Sequence, residues 1–250
     1  MNFNCAPFIP YFPAGYHDNT QGNPHGNDQD TGFVIGLETP DLLVKTLELL
    51  PQDQDHNDNF KAAHDALAAS LQYHVDKVAA IVQAGGPTQG VEFLGIDTSA
   101  APSKDCASMV QVYELLGVAY FGAAGTVEAS ALLTKVFKSV SGVPLVGFSG
   151  LMLAVTEDTG LAEGSQRAQF DIRSLLTYSA VCGIGLDTVP IPGSTPVKKI
   201  AALMRDTGTL AHRLDKPLTV RLFPVPGLSP GDITAFESDD LCNCAVLAVP

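Results

Sequence analysis

A cysteine and an aspartate stand five residues apart in the stretch VCGIGLDTVPIPG, residues 181–193. Its glycines and prolines suit neither a regular helix nor a regular strand, while most of its other residues are apolar. This pattern predicts a buried, irregular loop, whose backbone groups must all find partners. Because a thiolate is a nucleophile and a carboxylate accepts protons or binds metals, we predict that Cys182 and Asp187 are catalytic. The alternatives are a structural cysteine packed in the core and a carboxylate that holds loop amides.

Three further carboxylates are candidates for catalysis or metal binding. Glu157 and Asp158 follow an apolar run. Adjacent carboxylates suit proton transfer or a hard cation, although they equally suit a solvated turn or a helix cap. Asp97 follows the strand-like run at residues 91–96. Because ligands of parallel α/β sheets bind at the carboxyl ends of strands, we expect Asp97 to lie near the site.

Arg221 lies within an apolar, strand-like run. A buried guanidinium needs a partner, and Asp187, Glu157 and Asp97 are the carboxylates that we expect to supply one. The functional alternative is that Arg221 neutralises a carboxylate of the substrate. His17, in a polar loop, is a candidate base or substrate ligand, with a solvated loop histidine as the alternative.

Two glycine-containing turns supply candidates for substrate binding. Gly125 and Thr126 end the run FGAAGT before a helix-like stretch, and backbone amides there could bind an anion. The lysine of a phosphate loop and the full dinucleotide pattern are missing. Ser149 lies in GFSG, which is followed by leucine where a nucleophile elbow needs its last glycine. We therefore predict Ser149 to be a substrate-binding residue and not the nucleophile of a serine hydrolase.

The sequence carries no nucleotide or zinc signature. Cys242 and Cys244 are spaced as soft-metal ligands, but no second cysteine pair or nearby histidine completes a set of four. The cofactor therefore stays unknown, with a divalent metal held by the carboxylates as the open choice.

The composition limits the partners. The chain has 250 residues and a net charge of −13, whereas nucleic acid and anionic membranes need clustered Lys and Arg. No apolar run reaches the roughly 18 residues of a membrane helix. Five cysteines, an odd number, follow no secretory signal pattern, which predicts reduced thiols in the cytoplasm. We expect a cytoplasmic protein with a small-molecule ligand and with neither nucleic acid nor membrane as a partner.

Strand-like and helix-like runs alternate along the chain. Strands are predicted at residues 32–38, 91–96, 143–148, 151–155, 218–223 and 245–249. Helices are predicted at residues 39–50, 60–84, 108–116, 126–140, 166–180 and 196–214. Helices of this length can connect parallel strands, so we predict a single α/β domain over residues 1–250 with a mostly parallel sheet.

Six blocks of the chain resemble an uncharacterised family known as domain of unknown function 711. They are FPAGYH at 12–17, GIDTSAAPS at 95–103, FGAAGT at 121–126, GFSGLMLAVTED at 147–158, VCGIGLDTVPIPG at 181–193 and KPLTVRLFPVPG at 216–227. The resemblance implies a fold similar to that of pyruvate formate-lyase, a ten-stranded α/β barrel of two five-stranded halves around a finger loop. It implies that residues 181–193 form the finger, with Cys182 at its tip.

The same resemblance sets two limits. Residues 241–250 contain no glycine, whereas glycyl-radical enzymes need one near the C-terminus, so radical chemistry is not expected. Members of the family carry a further N-terminal half, so the resemblance implies that this chain corresponds to the C-terminal half and forms a half or partial barrel. A second copy or a partner half would then cover the open sheet edge.

These observations lead to one main hypothesis and two alternatives. The main hypothesis is an enzyme acting on a small carboxylated metabolite, with Cys182 as nucleophile or thiol acid. Asp187, Glu157 and Asp158 would act as bases or metal ligands. The alternatives are a non-enzymatic module that binds a metabolite or a protein partner, and a partial protein that needs a partner half.

Overall fold

A computed structural model describes residues 31–51, 56–85, 91–100, 102–103 and 105–250, together with the backbone of residues 2–4. Within these ranges, groups of one to four helices separate the strands that follow residue 31. The strands are β1 (Asn2–Asn4), β2 (Thr31–Gly36), β3 (Val91–Asp97), β4 (Gly185–Pro192) and β5 (Thr219–Val225). The helices are α1 (Pro40–Glu48), α2 (His56–Ala84), α3 (Met109–Leu115), α4 (Thr126–Lys138), α5 (Thr159–Gln166), α6 (Ile172–Tyr178) and α7 (Val197–Leu214).

The strand pairing is mainly parallel. β2 pairs with β3 in parallel, and β4 pairs with β5 in parallel, while β1 adds an antiparallel edge to β5. Residues 143–155 run between the two sheets, because Leu145 bridges to Ile96 of β3 and Ala154 bridges to Asp187 of β4. The prediction of an α/β fold with mostly parallel pairing is confirmed. Among the described residues the strands do not close into a barrel, so a barrel like that of pyruvate formate-lyase is not confirmed.

Most buried apolar side chains of the described residues belong to one continuous cluster, and Phe148 and Ile184 form a second, small one. The longest helix, α2, contributes an apolar stripe at four-residue steps, a spacing that places side chains on one helix face. The stripe consists of Ala63, Leu67, Leu71 and Val75. In the described part of the chain, no helix combines the length and the apolar composition that crossing a bilayer requires.

The predicted helix at residues 166–180 is wrong in its extent. The structure has α5 and α6 there, separated by residues 167–171, with Ala168 at a φ of 52°. Asp171 restarts the chain as a helix, because its side chain accepts from the Ser174 amide at 2.7 Å in a capping box. The apolar residues of this region predicted one helix, and Asp171 was not recognised as the residue that begins a second one.

Within the stretch at residues 181–193, residues 182–192 are buried, as predicted, but most of the stretch is regular. Residues 185–192 form β4, and all of them are buried. Proline is tolerated where its missing N–H would not face a neighbouring strand. The Gly193 amide donates to Val225 of β5. Because successive backbone nitrogens of a strand face opposite sides, the nitrogens of Pro190 and Pro192 face away from β5. The prolines therefore do not break the ladder, and the prediction of an irregular loop was wrong for these residues.

Candidate functional site

A β-bulge in β4 places Asp187 opposite Arg221 of β5. The pairing of β4 with β5 shifts between Leu186 and Val189, so that Asp187 and Thr188 together lie opposite Arg221. Thr188 has a φ of 44°, a strained conformation for a β-branched residue. Bulges and strained residues recur beside active sites, where they redirect side chains. The bulge is the irregular part of residues 185–192, and the positions of the glycines and prolines did not predict where it lies.

Glu157, Asp187 and Arg221 form one hydrogen-bonded group, which we call the acid–arginine cluster. Arg221 Nε donates to Asp187 Oδ1 at 2.6 Å, and Arg221 Nη2 donates to Glu157 Oε1 at 3.1 Å. The pairing of Arg221 with two of the three carboxylates expected from the sequence is confirmed. The Asp187 side chain is fully buried, whereas those of Glu157 and Arg221 are 23% and 32% exposed. The cluster therefore connects a core carboxylate to the surface.

Both carboxylates of the cluster hold their protons more tightly than free carboxylates do. Burial raises the pKa of Asp187, against the opposing charge of Arg221. Burial also raises the pKa of Glu157, and the negative charges of Asp187 and Asp240 add to the effect. Carboxylates with raised pKa values in a partly exposed site are suited to general acid–base chemistry.

Among the described residues, one carboxylate oxygen of the cluster has no hydrogen-bond partner. Asp187 Oδ2 is buried and accepts no hydrogen bond from the described residues. The backbone amide of Thr188 lowers the pKa of Asp187, but it donates no hydrogen bond to Oδ2. Thr156 Oγ1, next to Glu157 in sequence, is likewise buried and unpartnered in the described part. Such groups are rare in folded proteins and call for a physical explanation.

Asp158 lies outside this cluster and caps two helices. Its Oδ1 accepts from the Leu161 amide of α5 at 3.0 Å, and its Oδ2 accepts from the Met109 amide of α3 at 2.7 Å. Ser108 Oγ also donates to Oδ1. The side chain is fully buried with its oxygens occupied, so its geometry matches the helix-cap alternative. Burial raises its pKa against these hydrogen bonds.

Asp97 and Ser149 form a second neighbourhood. Asp97 Oδ1 accepts from the amides of Ser99 and Ser149 at 3.0 and 3.1 Å. Ser149 Oγ donates to Val146 O at 2.7 Å. Gly147, with a φ of 62°, lies so close that an added Cβ would stand 2.0 Å from Asp97 Oδ2. The carboxylate thus organises a tight turn at the end of β3, and the structure does not bond it to Arg221.

Cys182 lies in the core next to the turn that precedes β4. Its side chain has no exposed surface, and its Sγ accepts from the Gly185 amide at 3.3 Å. Burial raises the pKa of the thiol, although the positive charge of Lys216 opposes the effect. A protonated, enclosed sulfur is a poor nucleophile, so the geometry matches the structural alternative.

Lys216, which the sequence analysis did not single out, holds the backbone around Cys182. Its Nζ donates to the carbonyl oxygens of Ser179, Ala180 and Cys182 at 3.0, 3.3 and 2.5 Å. We call this arrangement the lysine clasp. The sequence offers no signal for it, because the carbonyls belong to the backbone and lie more than thirty residues away.

We expect Cys182 to react with iodoacetamide about 100-fold more slowly in the folded protein than in urea, because reaction needs local opening of the core. Peptide mapping by mass spectrometry would measure each cysteine separately. Cys106, which is half-buried, is the internal control and should be modified faster. Preferential labelling of Cys182 would instead support the nucleophile hypothesis.

The remaining predicted residues do not join the cluster. Thr126 Oγ1 accepts from the Gly122 amide at 3.1 Å and donates to Ala123 O at 2.7 Å. Gly125 is the N-cap residue of α4, with a φ of 97°. This turn is therefore closed by its own hydrogen bonds. His17 lies outside the described residues.

Metal-binding groups and cavities add little in the described part. There, no three His, Cys, Asp or Glu side chains gather closely enough to hold a metal ion. Cys242 and Cys244 are buried cysteines, and burial raises the pKa of the Cys244 thiol to about 12. A cavity of about 260 Å³ lies beyond the end of β4, between Pro192, Lys199 and Val249. Lys199 Nζ donates to Val249 O at 3.2 Å there, and none of the predicted site residues lines the cavity.

Comparison with known proteins finds one family. The family described as "Uncharacterised ACR (DUF711)" matches residues 1–237. A UPF0210 protein of Pyrobaculum arsenaticum is 33% identical over 92% of this chain and 49% of its own length. UPF0210 proteins of Limosilactobacillus reuteri and Carboxydothermus hydrogenoformans are each 29% identical over 93% of this chain and 50% and 52% of their own lengths. The chain thus spans about half the length of the curated relatives it matches.

Proposed function

This chain belongs to the uncharacterised DUF711 family, and from that premise we propose that it is an enzyme that transfers protons on a small polar metabolite at the acid–arginine cluster. The observation that carries the proposal is the geometry of Asp187. It is a fully buried carboxylate with one oxygen on Arg221 and the other without a hydrogen-bond partner among the described residues. Glu157 and Arg221 connect it to solvent.

Within this proposal the three side chains have different tasks. Glu157 is the general base, because it is the carboxylate of the cluster that a ligand can reach and its pKa is raised toward the working pH. Asp187 supplies a negative charge next to Glu157, which raises the pKa of Glu157. Arg221 holds both carboxylates in place, and its charge lowers the pKa of each.

The geometry supports a smaller role for two residues of the sequence-based hypothesis. Arg221 already donates to two carboxylates, so a carboxylate on the substrate is not required. Cys182 is enclosed and protonated at neutral pH, so we assign it no chemical step. Asp158 and Asp97 keep structural tasks in the proposal.

The experiment is proton exchange followed by NMR in D₂O with a panel of small metabolites. We expect replacement of a substrate hydrogen by deuterium, and we expect Glu157→Gln to slow it by at least about 100-fold, the usual contribution of a positioned base. The amide keeps the size of the side chain and its contact with Arg221 through one oxygen. Circular dichroism would confirm that the variant is folded.

Glu163→Gln is the matched control, because Glu163 is an exposed carboxylate of α5 paired with Arg167. Its exchange rate should equal that of the unchanged protein. If no metabolite exchanges hydrogen, or if Glu157→Gln exchanges as fast as the control, the enzyme proposal fails. Saturable binding without exchange would favour the non-enzymatic binding module.

The partial-protein alternative rests on a separate observation. The chain covers about half of each relative, and among the described residues β2 pairs on one edge alone. A second copy would protect that edge from unwanted pairing. Light scattering of the purified chain would show a dimer under this alternative and a monomer without it.

A further inference from the structure

We propose that the acid–arginine cluster binds the primary ammonium group of a small ligand. This inference rests on the proposed function, because it names the class of substrate for the same site. It replaces the anionic substrate that the sequence alone suggested for Arg221.

The charge of the neighbourhood favours a cation. Glu157 and Asp187 share a single guanidinium, and Asp240 lies close enough for its charge to act on Glu157. Among the described residues, three carboxylates thus share the positive charge of Arg221. The chain as a whole carries a net charge of −13, which raises the local concentration of cations further. An additional anion would meet repulsion here.

The unpartnered oxygen of Asp187 indicates that the cation carries hydrogen-bond donors. Asp187 Oδ2 is buried and has no hydrogen-bond partner in the described part. A buried acceptor without a donor is costly, and an N–H group supplies a donor together with positive charge. An ammonium group carries three such donors in compact form.

A primary amine fits better than a metal ion. Hard cations such as Ca²⁺ and Mg²⁺ take six or more oxygen ligands. The described residues contain no group of three carboxylate, histidine or cysteine side chains arranged to hold a metal. Charge-assisted hydrogen bonds to carboxylates need fewer partners. Glu157 and Arg221 are partly exposed, so an ammonium group can approach from their side.

The test uses methylammonium chloride as the probe. Its binding would be followed by melting temperature and by NMR line shifts, against ammonium, sodium and tetramethylammonium chlorides at equal ionic strength. Tetramethylammonium carries the charge without N–H donors. We expect a saturable response to methylammonium and ammonium alone, and about tenfold weaker methylammonium binding in Glu157→Gln. Glu163→Gln should bind as the unchanged protein does.

Three results would overturn the inference. They are equal responses to methylammonium and sodium, a response to ammonium without one to methylammonium, and unchanged affinity in Glu157→Gln. Should that variant unfold, Asp240→Asn serves in its place, because Asp240 is exposed. Its removal should weaken methylammonium binding by about two- to threefold, the effect of one remote surface charge. Methylammonium does not react, so its binding can be observed even where the exchange experiment fails.

Discussion

Replacement of Arg221 by methionine is expected to lower the free energy of unfolding by about 3–5 kcal/mol near neutral pH, the usual cost of removing one partner from a buried ion pair. The methionine would leave Asp187 in the core without its guanidinium, and Asp187 has no exposed surface with which to recover hydration. Urea unfolding followed by circular dichroism would measure the loss.

The same variant should become more sensitive to pH. The pKa of Asp187 is raised in the folded protein above its ordinary value of 3.8, so the stability linked to this group is full below that value. It declines as pH rises through the folded pKa. Removal of Arg221 takes away the opposing charge and moves the folded pKa higher. Stability at pH 5 should therefore exceed stability at pH 7 by more in Arg221→Met than in the unchanged protein.

Two variants frame this prediction. Arg205→Met replaces an exposed arginine of α7 and should change stability by less than about 0.5 kcal/mol. The double variant Arg221→Met with Asp187→Asn should regain part of the loss, because the fully buried side chain at position 187 no longer carries a charge. Equal stabilities of Arg221→Met and Arg205→Met would show that Asp187 does not depend on Arg221.

Replacement of Lys216 by methionine should cost about 3 kcal/mol, because three carbonyl oxygens lose a charged donor at once. The carbonyls of Ser179 and Ala180 follow the end of α6, where the helix dipole favours a positive charge. Methionine keeps most of the apolar stem, so the measured loss reports the ammonium group. Thermal and urea unfolding would both detect it.

Lys198→Met is the matched control, since Lys198 is an exposed lysine of α7. Its stability should stay within about 0.5 kcal/mol of the unchanged protein. Lys216→Arg should fall between the two, because a guanidinium can donate to some of the same carbonyls. The lysine clasp would lose its assigned importance if Lys216→Met were as stable as the control.

The pattern of the sequence was sufficient for part of the helices and strands, whereas the strands predicted at residues 143–148, 151–155 and 245–249 form only isolated bridges. α2, α4 and α7 follow from apolar residues at helical spacing, and β3 and β5 follow from short apolar runs. The parallel pairing followed from their alternation. β4 could not be read in this way, because its glycine and prolines carry no signal of how they face the neighbouring strand.

The candidate site was predictable in part. An arginine in an apolar strand had to find carboxylates, and it does find Asp187 and Glu157. The third expected partner, Asp97, instead bonds to backbone amides of its own neighbourhood. Which carboxylates pair with Arg221 depends on the tertiary structure, and the spacing of residues in the sequence does not predict it. The enclosure of Cys182 and the lysine clasp depend on the same information.

Asp158 links two helices that are far apart in sequence. Its carboxylate accepts from the first amide of α3 and from an amide in the first turn of α5. Neither helix can fray at that end without loosening the other, so their terminal amides form one cooperative unit. The backbone amides of Met109 and Leu161 should therefore show equal free energies of opening in hydrogen–deuterium exchange. The first turns of α3 and α5 should open in a single step.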